Sequence, residues 1–380
     1  MTVVDIRNVF EKRRIQLFYV DDDFIYYAEE KLRGELSNLY ILEYNRDTRR
    51  ERLVTNYTLE DSSFVQHIFA FEETIILVLE NSSSSLWVVE LDRRSGMELS
   101  RRKLNFTGRF YECKAVDANN IIFTTAADEK SKSFFKQYKA LTKCDTLAYI
   151  YDIEQDKKSF IRCPLISKVG CDSLFTVKTK DGNKLIILDP WGDEETKLYY
   201  FKEQRWISAD IRDNIWICDL DSALLELKGG KENLSVRCIA SADIKGMVRY
   251  AAITDKKLYM KATHFKSGLE KICSYDFENG SIEALAELLP CEDNESYYIE
   301  KLTGQTYKLT IDEDKTLVES MTSDFKAKYK SSLGKFSACI ENRFIITNDD
   351  KSICIIDTKT NTENKYDCKC KIYGNTVVLY

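Results

Sequence analysis

Phe71-Glu-Glu-Thr-Ile-Ile-Leu-Val78 sets an aromatic residue, a short acidic turn and a run of aliphatic residues in that order. The polar turn favours a tight reversal, and the run that follows favours an extended strand apolar on both faces. The same order returns in Val20-Asp-Asp-Asp-Phe-Ile-Tyr-Tyr27, Val116-Asp-Ala-Asn-Asn-Ile-Ile-Phe123, Ile211-Arg-Asp-Asn-Ile-Trp-Ile-Cys218, Ile253-Thr-Asp-Lys-Lys-Leu-Tyr-Met260 and Ile340-Glu-Asn-Arg-Phe-Ile-Ile-Thr347. Weaker copies lie near Asp172 and Asn294, and the chain ends on Tyr373-Gly-Asn-Thr-Val-Val-Leu-Tyr380.

Between these copies lies a second half-motif, an alternating strand, a polar turn and another strand, as expected of a hairpin with one half-buried face. It starts near Leu39, Leu86, Leu147, Leu185, Leu224, Ile272, Tyr307 and Ile353, recurring about every 45 residues. That is the spacing of four-stranded propeller blades. The longest interval, from Leu86 to Leu147, holds a lysine-rich stretch of helical pattern, residues 128–143. An inner and an outer hairpin together make four antiparallel strands, and such a sheet hides both faces only by stacking on neighbours. The fold class read from this pattern is all-β: a closed β-propeller of four-stranded antiparallel blades, eight by repeat count with seven as the alternative, carrying a short helical insertion. Nine inner hairpins against eight outer ones imply that the two termini overlap where the ring closes, so that residues 1–380 form a single domain. A pair of β-sandwiches would have no reason to repeat at this interval.

In architecture, nearly the whole chain resembles β-propeller repeat proteins of the WD40-like and YVTN-like kind. It lacks the Gly-His and Trp-Asp dipeptides of WD40 blades, since none of Trp87, Trp191, Trp206 and Trp216 precedes an aspartate. The resemblance implies blade geometry and no particular WD40 function.

Composition excludes several classes of function. With 56 Lys+Arg against 62 Asp+Glu the net charge is −6, unlike a chain whose whole surface binds nucleic acid or membrane. Charges at Asp5, Arg7, Glu11, Lys12, Arg13 and Arg14 interrupt the first residues, leaving no secretory h-region, and no apolar run reaches membrane-spanning length. A cytoplasmic location follows as the expectation, with the 12 cysteines read as reduced core residues.

Chemistry is sparse. The two histidines, His67 and His264, fall in different repeats, which removes multi-histidine metal centres. His67, in an innermost strand, is the one placed to face a channel. Cys368 and Cys370 alternate onto one face of a strand, where packing is the simpler role. The acidic groups at residues 21–23, 193–195 and 312–314 lack calcium-loop spacing and read as turns. No glycine-rich phosphate loop is present, and nothing calls for a cofactor or a metal. Asp117, Asp210 and Asp219 lie beside inner strands but carry no local catalytic signature.

Partner surfaces are easier to place. Residues 128–143 join the second to the third strand of a blade, and residues 324–335 are read as joining a fourth strand to the next blade; both kinds of connection leave on one face. The candidate partner-binding residues are therefore Lys130, Lys132, Lys136, Tyr138, Lys139 and Lys143, with Lys326, Lys328 and Lys330. Phe134, Tyr138 and Leu141 at i, i+4 and i+7 add an apolar stripe. Arginines at 46, 49, 50, 52, 93, 94, 101 and 102 are interleaved with acids and read as a self-paired surface. These features favour a non-catalytic interaction scaffold that binds a protein or anionic partner, not nucleic acid, through one loop face. The alternative is a propeller hydrolase, lyase or small-ligand binder using the central channel.

Overall fold

A computed structural model of the chain describes residues 2–6, 14–20, 23–33, 36–60, 64–80, 85–189, 198–200, 205–207, 214–239, 246–254, 256–264, 270–288, 294–300, 305–321, 323–340, 343–348, 352–357, 359–360, 362–373 and 376–380. After β1 (Thr2–Asp5) the strands gather into consecutive sheets. The first sheet is β2 (Arg14–Val20), β3 (Phe24–Arg33), β4 (Leu36–Asn45) and β5 (Arg50–Glu60). The second is β6 (Phe64–Ala70), β7 (Thr74–Glu80), β8 (Leu86–Asp92) and β9 (Glu98–Leu104). The third is β10 (Arg109–Ala115), β11 (Asn120–Ala126), β12 (Thr146–Asp152) and β13 (Lys157–Ile161). The fourth takes β14 (Leu174–Thr179) and β15 (Gly182–Asp189), passes over the hairpin β16 (Leu198–Tyr200) and β17 (Arg205–Ile207), and ends with β18 (Asn214–Asp219) and β19 (Arg237–Cys238).

The fifth sheet is β20 (Gly246–Ile253), β21 (Lys257–His264), β22 (Glu270–Asp276) and β23 (Ile282–Leu288). The sixth is β24 (Glu295–Ile299), β25 (Thr306–Asp312), β26 (Lys315–Ser320) and β27 (Lys326–Lys330). The seventh is β28 (Lys335–Ile340), β29 (Arg343–Asn348), β30 (Ser352–Asp357) and β31 (Thr362–Tyr366). β32 (Cys370–Tyr373) and β33 (Thr376–Leu379) form an eighth sheet with β1, which pairs in parallel with β33 from Thr2↔Thr376 to Asp5↔Leu379. Seven four-stranded antiparallel sheets and this eighth, three-stranded one are the blade arrangement of a β-propeller. The described helices are α1 (Lys132–Thr142), α2 (Pro164–Val169) and α3 (Leu220–Lys228).

Compactness divides the chain into two units, one of residues 8–176 and 218–236, the other of residues 1–7, 177–217 and 237–380. In the first unit Tyr26, Ile41 and Val54 of the first sheet pack on Val65, Ile75 and Leu77 of the second. On its other side the second sheet packs Ile76, Val78 and Val88 against Ile121, Phe123 and Tyr149 of the third. Adjacent residues of β7 thus enter different cores, which is why the run after Phe71 is apolar at every position. In the second unit Tyr307 and Tyr329 meet Phe336 and Phe344, and Ile345 and Ile355 meet Val377 and Leu379.

Turn chemistry repeats with the sheets. Six third strands end on Asn or Asp, and each side chain accepts a backbone N–H two or three residues on: Asn45 from Thr48 (2.8 Å), Asp92 from Ser95 (2.6 Å), Asp152 from Gln155 (2.9 Å), Asp219 from Ser222 (2.9 Å), Asp276 from Glu278 (2.8 Å) and Asp357 from Lys359 (3.0 Å). The next residue donates its N–H to the first turn of the same sheet, as Arg46 to Asp23 (2.9 Å), Arg93 to Glu73 (2.9 Å), Ile153 to Asn119 (2.8 Å) and Phe277 to Lys256 (3.0 Å). Four residues after the Asx the backbone turns left-handed, at Arg49 (φ 56°), Gly96 (φ 73°), Asp156 (φ 47°) and Gly280 (φ 67°). A bulge also interrupts the first strand of the first, second, third, fifth and seventh sheets, for example between Val65 and His67 and between Phe110 and Glu112.

Four expected hairpins are corrected. Ile211 precedes the third strand of the fourth sheet, not an inner hairpin, which explains the surplus inner copy; Leu185 lies on that sheet's second strand. Leu224 belongs to α3, where Leu220, Ala223, Leu224 and Leu227 bury one helical face and Asp219 caps the start by accepting from Ser222. Tyr307 opens a second strand instead of a third. The insertion at 128–143 is helical, as expected.

The turn repeat gives a paired test. A Cβ on Gly96 would stand 2.1 Å from the Val54 carbonyl oxygen at a left-handed φ, so Gly96→Ala should cost about 1–3 kcal/mol. Arg49, exposed in the equivalent conformation, should gain up to about 1 kcal/mol as Arg49→Gly. Urea unfolding of both variants should show opposite shifts.

Candidate functional site

Exposed apolar side chains and clustered charge meet on α1. Asp128 starts the insertion by accepting from the Ser131 N–H (2.7 Å) and hydroxyl (2.5 Å), and Lys143, left-handed at φ 64°, ends it by donating its N–H to Lys139. Phe135 is the buried anchor, admitted because Gly108 leaves open the space its own Cβ would fill, 2.8 Å from the Phe135 ring. Tyr138 packs half-buried beside it and bonds the Ser167 hydroxyl at 3.3 Å.

The expected stripe of Phe134, Tyr138 and Leu141 is therefore corrected. The anchoring face is centred on Phe135 and Tyr138, while Phe134 stays 49% exposed and Leu141 85% exposed. From Phe134 a ladder of rings crosses to the third sheet, stacking on Tyr138 (6.5 Å) and continuing edge-on through Phe160 (6.2 Å), Tyr149 (5.6 Å) and Phe106 (5.0 Å). Lys130, Lys132, Lys136, Lys139 and Lys143 are all exposed around it, with Lys139 paired to Asp145 at 2.6 Å. Sequence reasoning located these lysines but missed Phe160 and Phe106, which join the patch only through the fold.

The second lysine group differs in form. Lys326, Lys328 and Lys330 lie on β27, the fourth strand itself, and not in a connection after it. They alternate with Ala327 and buried Tyr329, a period-two pattern, and Lys326 pairs with Glu319 at 2.5 Å. β27 belongs to one compact unit and α1 to the other.

Of the eight arginines, Arg52, Arg93, Arg101 and Arg102 bond to groups within the chain. Arg52 holds Glu43 with two bonds of 3.0 Å and donates to the carbonyls of Arg93 (2.8 Å) and Arg94, while Arg93 donates to the Tyr26 hydroxyl (2.8 Å) and the Phe71 carbonyl (2.8 Å). Burial and the Glu43 carboxylate push the Tyr26 phenol upward. These bonds join the first two sheets and form the floor of a groove of about 780 Å³, rimmed by Asp23, Glu72, Glu73 and Arg94. Arg101 pairs with Glu98 (2.7 Å) and Arg102 with Asp156 (2.8 Å).

His67 lies half-buried on β6 just past the bulge, stacked on Phe69 at 5.4 Å. Burial holds its pKa down; Asp172 opposes this and Lys114 adds to it. The Lys114 ammonium sits 4.8 Å from the centroid of Phe175, and burial lowers its pKa as well. Asp117 and Asp219 are a turn acceptor and a helix cap. Asp21, Asp22, Trp191, residues 193–195 and Asp210 lie outside the described residues. Cys368 and Cys370 pack partly buried against the last two sheets. Among the described residues no group of three or more His, Cys, Asp or Glu is placed to hold a metal ion, and no helix is long and apolar enough to cross a membrane.

Neither a family model nor a curated protein matches the chain. Among solved structures it is similar to an uncharacterized protein from Listeria monocytogenes EGD-e, with TM-score 0.42, 13% identity and 93% of each chain covered. It is also similar to the β-propeller domain of the Trilobed protease from Pyrococcus furiosus, with TM-score 0.41, 11% identity, and 93% of this chain and 94% of that one covered. The acylaminoacyl peptidase of Pyrococcus horikoshii scores 0.44 at 11% identity, and the match spans 95% of this chain but 53% of that one. Likeness at these scores decides nothing about activity, and the fold rests on the sheets themselves.

Because the folded state holds His67 below its ordinary value of 6.5, the unfolded chain protonates first as pH falls. Stability should therefore decline as pH drops below about 6.5 and level off once pH passes the depressed folded value. Urea titrations between pH 8 and 5 should show less of this decline in His67→Gln.

Proposed function

We propose that this chain is a non-catalytic interaction scaffold, a single propeller that docks an acidic protein segment on α1 and the ring ladder of its third sheet. The observation that carries this reading is the exposure of Phe134 and Leu141 on a helix already anchored by Phe135. Folding alone gains nothing from leaving these side chains in water, whereas a partner's apolar residue would bury them. Lys130, Lys132, Lys136, Lys139 and Lys143 frame them on a chain of net charge −6, so an acidic segment is steered to this place and repelled elsewhere. Lys326, Lys328 and Lys330 offer a second basic surface to the same class of partner.

Tyr138 supports the helix from below, so the docking variant leaves it in place. The combined change Phe134→Ser, Leu141→Ser and Lys136→Glu should keep the wild-type melting temperature. It should lose, at physiological salt, the proteins that the wild-type chain retains from native lysate, identified by mass spectrometry. Retention of the same proteins by the variant would remove α1 as the docking surface.

One observation favours a second reading, a small-ligand or catalytic site at the inner strands: the Asp172 carboxylate acts on both His67 and Lys114, whose pKa values burial lowers. It requires a metabolite that raises the melting temperature of the wild-type chain and not of Lys114→Met.

A further inference from the structure

β27 is the outermost strand of the sixth sheet, paired with β26 and with no other strand among the described residues. The bonds that flank this pairing fix which way its backbone faces. Ser320 donates its N–H to the Phe325 carbonyl and Ser331 donates to that of Asp314, so Ala327 and Tyr329, in phase with them, turn their main-chain groups toward β26. The N–H and C=O groups of Lys326, Lys328 and Lys330 therefore point outward and form the open edge of the sheet. Their side chains share one face, opposite Glu319, Leu317 and Lys315, and all three are exposed, while Ala327 and Tyr329 enter the core shared with the seventh sheet. Lys326 pairs with Glu319 at 2.5 Å. Lys315, Lys328 and Lys330 make no ion pair among the described residues. Lys315 stands directly across from Lys330, a juxtaposition of like charges that destabilises the hairpin.

We propose that the β27 edge takes an acidic, extended protein segment as a fifth strand, with Asp or Glu at alternate positions facing Lys326, Lys328 and Lys330. Two periods coincide there: the outward main-chain groups and the lysine side chains recur at the same two-residue step, about 7 Å. A strand that bonds to the backbone groups thus sets its own alternate side chains directly opposite the lysines, at the cross-strand spacing where opposite charges attract. Its intervening residues fall on the side of Ala327 and Tyr329. The acid that faces Lys330 also answers Lys315 and relieves the like-charge contact that the chain carries alone. A second copy of β27 brings lysine against lysine and is refused, so the edge selects by charge while its hydrogen bonds supply the attraction.

The acidic class of partner rests on the scaffold reading, but the test reads β27 and α1 separately. The probe is a fluorescein-labelled hexapeptide, Glu-Thr-Glu-Val-Glu-Thr, set against its isomer Glu-Glu-Glu-Thr-Val-Thr. Fluorescence anisotropy follows binding, and hydrogen exchange follows the main chain. The alternating peptide should bind several-fold tighter than the isomer, slow exchange at the amides of Lys326, Lys328 and Lys330, and leave those of Ala327 and Tyr329 unchanged. Combined Lys328→Glu and Lys330→Glu should lose that peptide and bind Thr-Lys-Val-Lys-Thr in its place, a gain that misfolding cannot mimic. The α1 variant Phe134→Ser, Leu141→Ser, Lys136→Glu should bind the alternating peptide as the wild-type chain does. Equal affinity for the two isomers, no binding of either, or lysine amides that still exchange freely in the complex would overturn the strand assignment. Loss of binding in the α1 variant, with β27 variants unaffected, would overturn it while leaving the scaffold reading in place.

Discussion

A four-stranded sheet that is apolar on both faces has no stable existence alone, and this requirement governs the whole chain. β7 shows it most directly: Ile75 and Leu77 enter one core while Ile76 and Val78 enter the next, and all four are fully buried. Between the first and second sheets, and between the second and third, each face is hidden by the neighbouring sheet, with Phe135 of α1 joining the second of these cores. The helices that do occur are insertions between strands or after them.

Stacking of this kind needs the sheets to keep a fixed offset, and the turns supply it. The Asx-capped third turns fold back on the first turns, and the residue after the Asx then reaches the neighbouring sheet. In the second sheet that residue is Arg93, which bonds Tyr26 and lies 5.1 Å from the centroid of Phe24. In the third it is Ile153, packed in the core shared with the second sheet. One structural position thus carries a polar lock in one interface and an apolar plug in the next, so the position after the Asx has no consensus of its own.

This mixture explains what the sequence discloses. The β7-like runs are legible because burial on both faces leaves little choice of residue. So is the insertion, whose length breaks the interval. The hidden repeat is the Asn or Asp that ends six of the third strands, at Asn45, Asp92, Asp152, Asp219, Asp276 and Asp357. What separates these strand ends from that of Leu185, on a strand ending at Asp189, is the turn that follows, in which the Asx side chain accepts a backbone N–H two or three residues on. The docking surface was half legible. Lysine spacing marked α1, but Phe134 and Phe135 are adjacent, and only the slot left open at Gly108 decides which of them is buried. Phe106, Tyr149 and Phe160 come from separate strands, and their alignment is a property of pairing, as in Tyr149↔Phe160. The lysines of β27 were misplaced because a five-residue strand of Lys, Ala and Tyr lacks the aliphatic density that marks the others.

Mutual burial is tested most directly by hydrogen exchange on Ile75→Ala. Ile75 is wholly buried in the core that the first and second sheets share, and its truncation should cost about 2–5 kcal/mol. If each sheet is stable only against its neighbour, amides of β3 and β4 in the unmutated first sheet should exchange faster along with those of β7. Faster exchange confined to the second sheet, with β3 and β4 as protected as in the wild-type chain, would contradict the account.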